Sequence, residues 1–361
     1  MAEKTTLDKE SSKKTRQQED IELIAGDNSL DFEMYRNTTV FVTGATGLIG
    51  SSIIKSLLYS NQKNSLGMHL IAAVRSTNKA ERIYGKLLKR SDLELSIGDV
   101  TEPIDYKGCI EYIFHTASVT ASKTMVEDPV GTIETAYQGT HNVLELAREK
   151  HVRGLVYVSS MEVYGRPDPE LEYVTEKDLG YIDISSVRSS YSEGKRICEC
   201  LCSGYVSEYN VPVKIARLAQ TFGAGILPND NRVYVQFAKS AIYGEDIVLH
   251  TEGTSEGNYC YIRDVVKALL LLGYKGEKGE AYNIVNESTH MQIREMAKLV
   301  AEKISGGKIQ VRFEIPESTQ AFGYAPIVKM KLSSAKMRGL GWEPEVDLQQ
   351  MYERMLYDMT L

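Results

Sequence analysis

The sequence of 361 residues contains no uninterrupted apolar run of about 20 residues, the length a helix needs to cross a hydrocarbon core. Residues 1–20 are rich in Lys, Glu, Ser and Gln and lack the apolar core of a secretory signal. A membrane span or an exported protein is therefore not expected, and the cytoplasm is the expected location. Cationic excess is also missing: 42 Lys and Arg stand against 49 Asp and Glu, a net charge of −7. With no basic stripe and no aromatic platform, nothing points to nucleic acid or to an anionic membrane surface. Five cysteines do not make a disulfide framework in a chain of this length. Cys198, Cys200 and Cys202 alternate along a segment of helical pattern, so Cys200 faces away from the other two, and no His nearby completes a ligand set. No metal is expected, and the cysteines read as reduced packing residues. No internal repeat occurs, which argues against a repeat array.

Two short stretches carry most of the information. The apolar run Thr39-Val40-Phe41-Val42 reads as a buried strand, and Thr43-Gly44-Ala45-Thr46-Gly47-Leu48-Ile49-Gly50 follows it. The segment after that has Ile53, Ile54, Leu57 and Leu58 at amphipathic spacing. A strand, a glycine-spaced turn and a helix form the first unit of a dinucleotide-binding fold. The turn needs positive φ, close backbone approach to a pyrophosphate and a helix N-terminus aimed at the anion. The second stretch, Tyr191-Ser192-Glu193-Gly194-Lys195, places a phenol and an ammonium one helical turn apart on the same face. Such a Lys is expected to favour phenolate and let Tyr exchange protons near neutral pH.

Order and context strengthen both. Further apolar runs end in Arg75, in Gly98-Asp99-Val100, in His115-Thr116-Ala117 and in Ser159-Ser160, and helical patterns alternate with them. This predicts an α/β fold with a doubly wound parallel sheet and a site at the strands' carboxyl ends. Arg75 ends the second strand, where a cation suits a 2′-phosphate on the adenosine ribose. NADP(H) is favoured on that ground, with NAD(H) left open.

These motifs, with Ser160 to Gly165, Arg217 to Gly223, Tyr261-Ile262-Arg263-Asp264 and Leu340 to Pro344, resemble the extended short-chain dehydrogenase/reductases of the nucleotide-sugar epimerase/dehydratase type. The likeness covers about residues 37–358, and the run Arg188 to Arg196 is similar to UDP-glucuronate decarboxylases. The resemblance implies a Rossmann-type domain over 37–222, and a smaller, mainly substrate-binding domain over 223–361 with segments returning to the main sheet. Residues 1–20 read as a disordered tail and 21–36 as an extension of unassigned role.

The resemblance also implies roles. Gly44, Thr46, Gly47, Leu48, Ile49 and Gly50 would hold the cofactor's pyrophosphate. Asp99 and Val100 would meet adenine, and Thr116 and Ala117 would lie behind the nicotinamide ribose. Tyr191 would be the acid/base, Lys195 would hold that ribose, Ser160 would bond the substrate oxygen, and Glu162 matches a family Glu. Ser118, Met161 and Gln220 would face the substrate.

Three positions depart from the family. Gly257 stands where a diphosphate-clamping Arg is expected, Gln220 replaces an Asn, and Ala136 replaces another. Met161 also replaces the acid used in dTDP-glucose dehydration. The favoured expectation is an NADPH-dependent reductase of a nucleotide-linked keto-sugar for surface polysaccharide. An NAD-retaining epimerase or decarboxylase, or a non-catalytic NADP(H) sensor, are the alternatives. A homodimer is expected to form through helices near 130–150, with Val143, Leu144 and Leu146, and near 190–208, with Ile197, Leu201 and Tyr205.

Overall fold

In the computed structural model, which describes residues 14–227, 230–316 and 328–361, the chain enters the fold through helix α1 (Arg16–Ala25), capped by Thr15. Residues 16–20, expected to belong to a disordered tail, are therefore helical. Ile21, Ile24 and Ala25 bury one face of this helix, so a segment whose composition reads as polar becomes helical where it finds a surface. Residues 1–13 lie outside the described residues.

Strand β1 (Thr39–Thr43) leads through the glycine turn into α2 (Leu48–Asn64). Next come β2 (His69–Val74), α3 (Thr77–Tyr84), β3 (Leu93–Ile97), β4 (Tyr112–His115), α4 (Ser122–Glu127), α5 (Pro129–Glu149) and β5 (Gly154–Ser160). They are followed by α6 (Ser189–Tyr209), β6 (Val213–Leu218), β7 (Gln220–Phe222), α7 (Val233–Tyr243), β8 (Ile247–Leu249), β9 (Glu256–Tyr261) and α8 (Ile262–Lys275). The chain closes with β10 (Ala281–Ile284), β11 (Asn286–Gln292), α9 (Ile293–Leu299), β12 (Val311–Phe313), α10 (Ala335–Arg338) and α11 (Leu348–Met359).

Seven strands form one parallel sheet in the order β10-β6-β5-β4-β1-β2-β3. This is the doubly wound order in which the strand sequence reverses beside β1, opening a crevice at the carboxyl ends of β1 and β4. Alternate side chains feed two cores. Val40, Val42, Leu70 and Phe114 pack on the face covered by α2 and α8, while Phe41, Ile71, Ile113 and Leu155 pack on the face covered by α5 and α6. Burial on both faces is why these strands read as continuous apolar runs.

From Gln220 onward the chain builds a three-stranded sheet, β11-β9-β7, and a pair, β12-β8, while β10 returns to the main sheet beside β6. The single tryptophan, Trp342, donates from Nε1 to the Asp264 carbonyl at 2.9 Å. The Asp264 carboxylate accepts from the N–H groups of Glu345 and Val346. The Leu340 to Pro344 run is thus a staple between the C-terminal segment and α8. No helix among the described residues is long and apolar enough to cross a membrane.

Candidate active site

The glycine turn fills the crevice because nothing larger fits. Gly44 has φ +62°, and a Cβ there would lie 2.7 Å from the Ala117 nitrogen and 2.8 Å from the Thr116 hydroxyl. At Gly50 a Cβ would come within 2.5 Å of the Gly44 carbonyl oxygen. Gly47 begins α2 with no side-chain cap, leaving Leu48, Ile49 and Gly50 as the first turn of a helix pointing into the crevice. Backbone packed this closely at a helix N-terminus suits a pyrophosphate, so the residues present fit a dinucleotide.

The floor is a hydrogen-bonded set. Thr116 donates to the Thr43 carbonyl at 2.6 Å, and the Ala117 N–H donates to the Thr43 hydroxyl at 3.2 Å. His115 bridges the hydroxyls of Thr43 and Thr140, and burial pushes its pKa down to about 3, so it is a neutral spacer. At the adenosine end, the Asn142 amide holds the Val100 carbonyl, and Val100 packs on Gly139. Arg75 is three-quarters exposed, with its guanidinium 3.6 Å from Asp99. Hydrogen bonds from Thr101, with Arg75 nearby, hold the Asp99 carboxyl below its usual range.

At the other end, β5 delivers Ser160 and α6 delivers Tyr191 and Lys195. The Ser160 hydroxyl accepts the Glu162 N–H at 3.2 Å and lies near enough to the Tyr191 phenol to favour its ionised form. Glu162 is gripped at both oxygens by Arg188, at 3.0 and 3.1 Å, with Ser192 donating at 3.4 Å. Burial first, and the negative Glu162 second, push the Tyr191 phenol up to about 12, against Ser160, Arg188 and Arg232.

The expected activation of the phenol by Lys195 needs correction. The Lys195 ammonium is 5.8 Å from the Tyr191 ring centre and donates to the Val158 carbonyl at 2.8 Å. Burial lowers its own pKa to about 8. One helical turn brings the two residues to one face, but the ammonium's hydrogen bond goes to β5.

The substrate side is uneven. Ser118 is half-buried and donates to the Val119 carbonyl. Gln220 starts β7, half-buried beside Tyr259 of β9. Met161 is buried in a small apolar core with Tyr164, Val174 and Leu332 rather than standing free in the crevice. Gly257 is buried, and a Cβ there would lie 2.2 Å from the Tyr259 hydroxyl, which closes the position to any long cation. Ala136 meets α6 instead, its carbonyl accepting from Cys198 at 3.1 Å.

Sequence reasoning missed Arg232, whose charge acts on the Tyr191 phenol. Asp230 fixes it, accepting from the Arg232 N–H and Nε at 3.0–3.1 Å. The signal was available as Asp-x-Arg immediately before an apolar helix, though nothing local says which way such an Arg turns. Beneath the site, Glu199 accepts from Ser159 at 2.5 Å and pairs with Arg217, which also reaches the Tyr164 hydroxyl. No group of His, Cys, Asp or Glu among the described residues is placed to hold a metal, and the five cysteines are free.

Residues 40–285 match the NAD dependent epimerase/dehydratase family. Two Arabidopsis thaliana proteins, UDP-glucuronic acid decarboxylases 6 and 3, are 32% and 31% identical to the chain over 325 and 326 residues, 90% of each chain. In architecture the molecule is similar to the epimerase Mth375 of Methanothermobacter thermautotrophicus, with TM-score 0.75 and 22% identity over 94% of this chain and 95% of that one. UDP-glucuronic acid 4-epimerase from Bacillus cereus, solved with UDP-glucuronic acid and NAD, gives TM-score 0.73 and 22% identity, covering 89% and 99%. With two thirds of its length inside the family's pattern, the chain belongs to the NAD dependent epimerase/dehydratase family and is an enzyme of the extended short-chain dehydrogenase/reductase type.

Proposed function

We propose that the enzyme acts on a nucleotide-linked sugar acid, oxidising a ring hydroxyl and releasing the carboxylate as CO2, as the names of its decarboxylase relatives suggest. The observation that carries this reading is the likeness to the two decarboxylases over 90% of each chain, and two guanidiniums whose charges act on the Tyr191 phenol, Arg188 paired with Glu162 and Arg232 paired with Asp230, are the cations at hand. They suit an anionic substrate, and Arg232 supplies on a loop the cation that Gly257 does not.

In this reading the Gly44–Gly50 turn takes the pyrophosphate, Asp99 and Val100 the adenine, and Thr116, Ala117 and Lys195 the nicotinamide ribose. The nicotinamide ring, when bound, accepts and returns a hydride. In its phenolate form Tyr191 would take the hydroxyl proton as the carbonyl forms, and Ser160 would hydrogen-bond the same oxygen. A carboxylate β to that carbonyl is labile. When its carbon–carbon bond breaks, the electron pair moves onto the carbonyl oxygen, which Tyr191 and Ser160 can protonate and hold. Ser118 and Gln220 line the sugar side, with residues beyond 223 closing over it.

A second reading, NADPH-dependent reduction of a nucleotide-linked keto-sugar, is favoured by Arg75, exposed at the place a 2′-phosphate would occupy. One experiment separates the two. The enzyme is incubated with UDP-glucuronate and NAD, and the products are followed by mass. Loss of CO2 without net consumption of cofactor supports the first reading. No reaction, together with steady NADPH oxidation on a keto-sugar nucleotide, replaces it with the second.

We also propose a two-fold homodimer through the outer faces of α5 and α6. Val143, Leu144 and Leu146 do not form that surface, because they are buried in the subunit's own core. The exposed apolar residues on these helices are Val130, Ile133, Tyr137, Ile197 and Tyr209, with Leu201 partly buried.

A further inference from the structure

The N-terminal helix packs on α2, α8 and α11, and at Gln17 contacts to two of them meet a turn that follows β7. The Gln17 backbone N–H donates to the Asp358 carboxylate of α11 at 3.0 Å, next to the Arg16 N–H at 2.6 Å. Its side-chain carbonyl accepts from Lys55 at 2.9 Å, on the helix that begins at the glycine turn. Its amide nitrogen lies against Gly225, where φ is +84° and an added Cβ would sit 1.8 Å from that nitrogen. Gly225 belongs to the segment that leaves β7 toward Asp230 and Arg232. A second link supports that segment from behind, since Lys239 of α7 donates to the Asp230 carbonyl at 3.1 Å while Asp230 grips Arg232.

We propose that Gln17 is a positioning residue: it ties the 223–227 turn to the cofactor helix and to α11, and so sets where the chain that goes on to Arg232 leaves β7. The extension then has a role the nucleotide fold alone does not supply. A glycine at positive φ leaves the turn free to swivel unless something packs on it, and Gln17 is the side chain that does so. The inference rests on the proposed reading only where it says what Arg232 meets; the bracing itself does not.

The test compares wild type, Gln17→Ala and Gln17→Glu by hydrogen exchange. The Glu variant keeps an acceptor for Lys55 and the bulk against Gly225. In Gln17→Ala, peptides over 223–227 and α7 should exchange about fivefold faster, the size of one net hydrogen bond, with the parallel sheet unchanged and Gln17→Glu close to wild type. Unchanged exchange in that segment overturns the proposal, and so does uniform acceleration across the sheet. UDP-glucuronate titrated into the same proteins by calorimetry should bind several-fold more weakly to Gln17→Ala, about the same factor, with NAD(H) and NADP(H) affinity preserved. Equal affinity in the two proteins overturns the link to Arg232. If wild type does not bind UDP-glucuronate, the substrate reading fails while hydrogen exchange still decides the bracing.

Discussion

In the proposed reaction the single hydroxyl of Tyr191 does its work in the transition state. Tyr191→Phe is therefore expected to lower kcat by about a thousandfold while leaving cofactor and substrate affinity near wild type. Steady-state kinetics beside calorimetry checks this, and retained turnover would move the proton to Glu162. Arg75 is the residue on which cofactor choice is proposed to turn. Because its side chain is largely exposed, a charge-assisted bond to a 2′-phosphate sits at the low end of its range, and Arg75→Ala should cost about tenfold in NADP(H) affinity with NAD(H) unaffected. Fluorescence titration of both cofactors measures it, and equal losses for the two would remove the specificity role. The identity of these residues was plain from local spacing. Their electrostatics were not, because the Val158 carbonyl that captures Lys195 and the Glu162 charge that raises the phenol's pKa come from other elements.

At the scale of elements, α1 is held by a buried ionic knot. Asp20 accepts from the Tyr261 hydroxyl at 2.6 Å and from Arg354 at 2.7 Å, with Arg263 3.8 Å away. Removing the carboxylate leaves Arg354 with Glu19 and Arg263 with Glu345 but strips the buried end of the knot, so Asp20→Ala should lower stability by about 3 kcal/mol in chemical denaturation. The same residue sets a pH dependence. Burial outweighs the hydroxyl and the arginines and raises its pKa from 3.8 to about 6. The folded protein thus binds this proton more tightly than the unfolded chain. Asp20's contribution is full below pH 3.8 and is lost as pH rises through about 6. Asp20→Asn should flatten that part of the stability profile, and an unchanged slope between those pH values would assign it to other groups. The helix itself was not legible in a Lys- and Glu-rich stretch. Its apolar residues are few, and their burial depends on α2, α8 and α11 meeting at one place.

For the whole molecule, the exposed side chains of α5 and α6 make a specific demand. Light scattering at micromolar concentration should give twice the 40.4 kDa of one chain, and Ile133→Glu with Ile197→Glu should return it to one. A wild-type mass of one chain would end the dimer reading. The parallel sheet, the glycine cradle and the Tyr-Lys pair could be written down from the sequence because each depends on short-range facts. Strands buried on both faces must be apolar throughout, a turn against backbone must be glycine, and residues four apart on a helix share a face. What only the tertiary structure decided is which distant side chains meet. It put Val143 and Leu144 inside rather than at an interface, tied Lys195 to the Val158 carbonyl, and ran the N-terminal helix across the cofactor helix and α11. Those pairings join residues tens to hundreds of positions apart, and no local propensity or period encodes them.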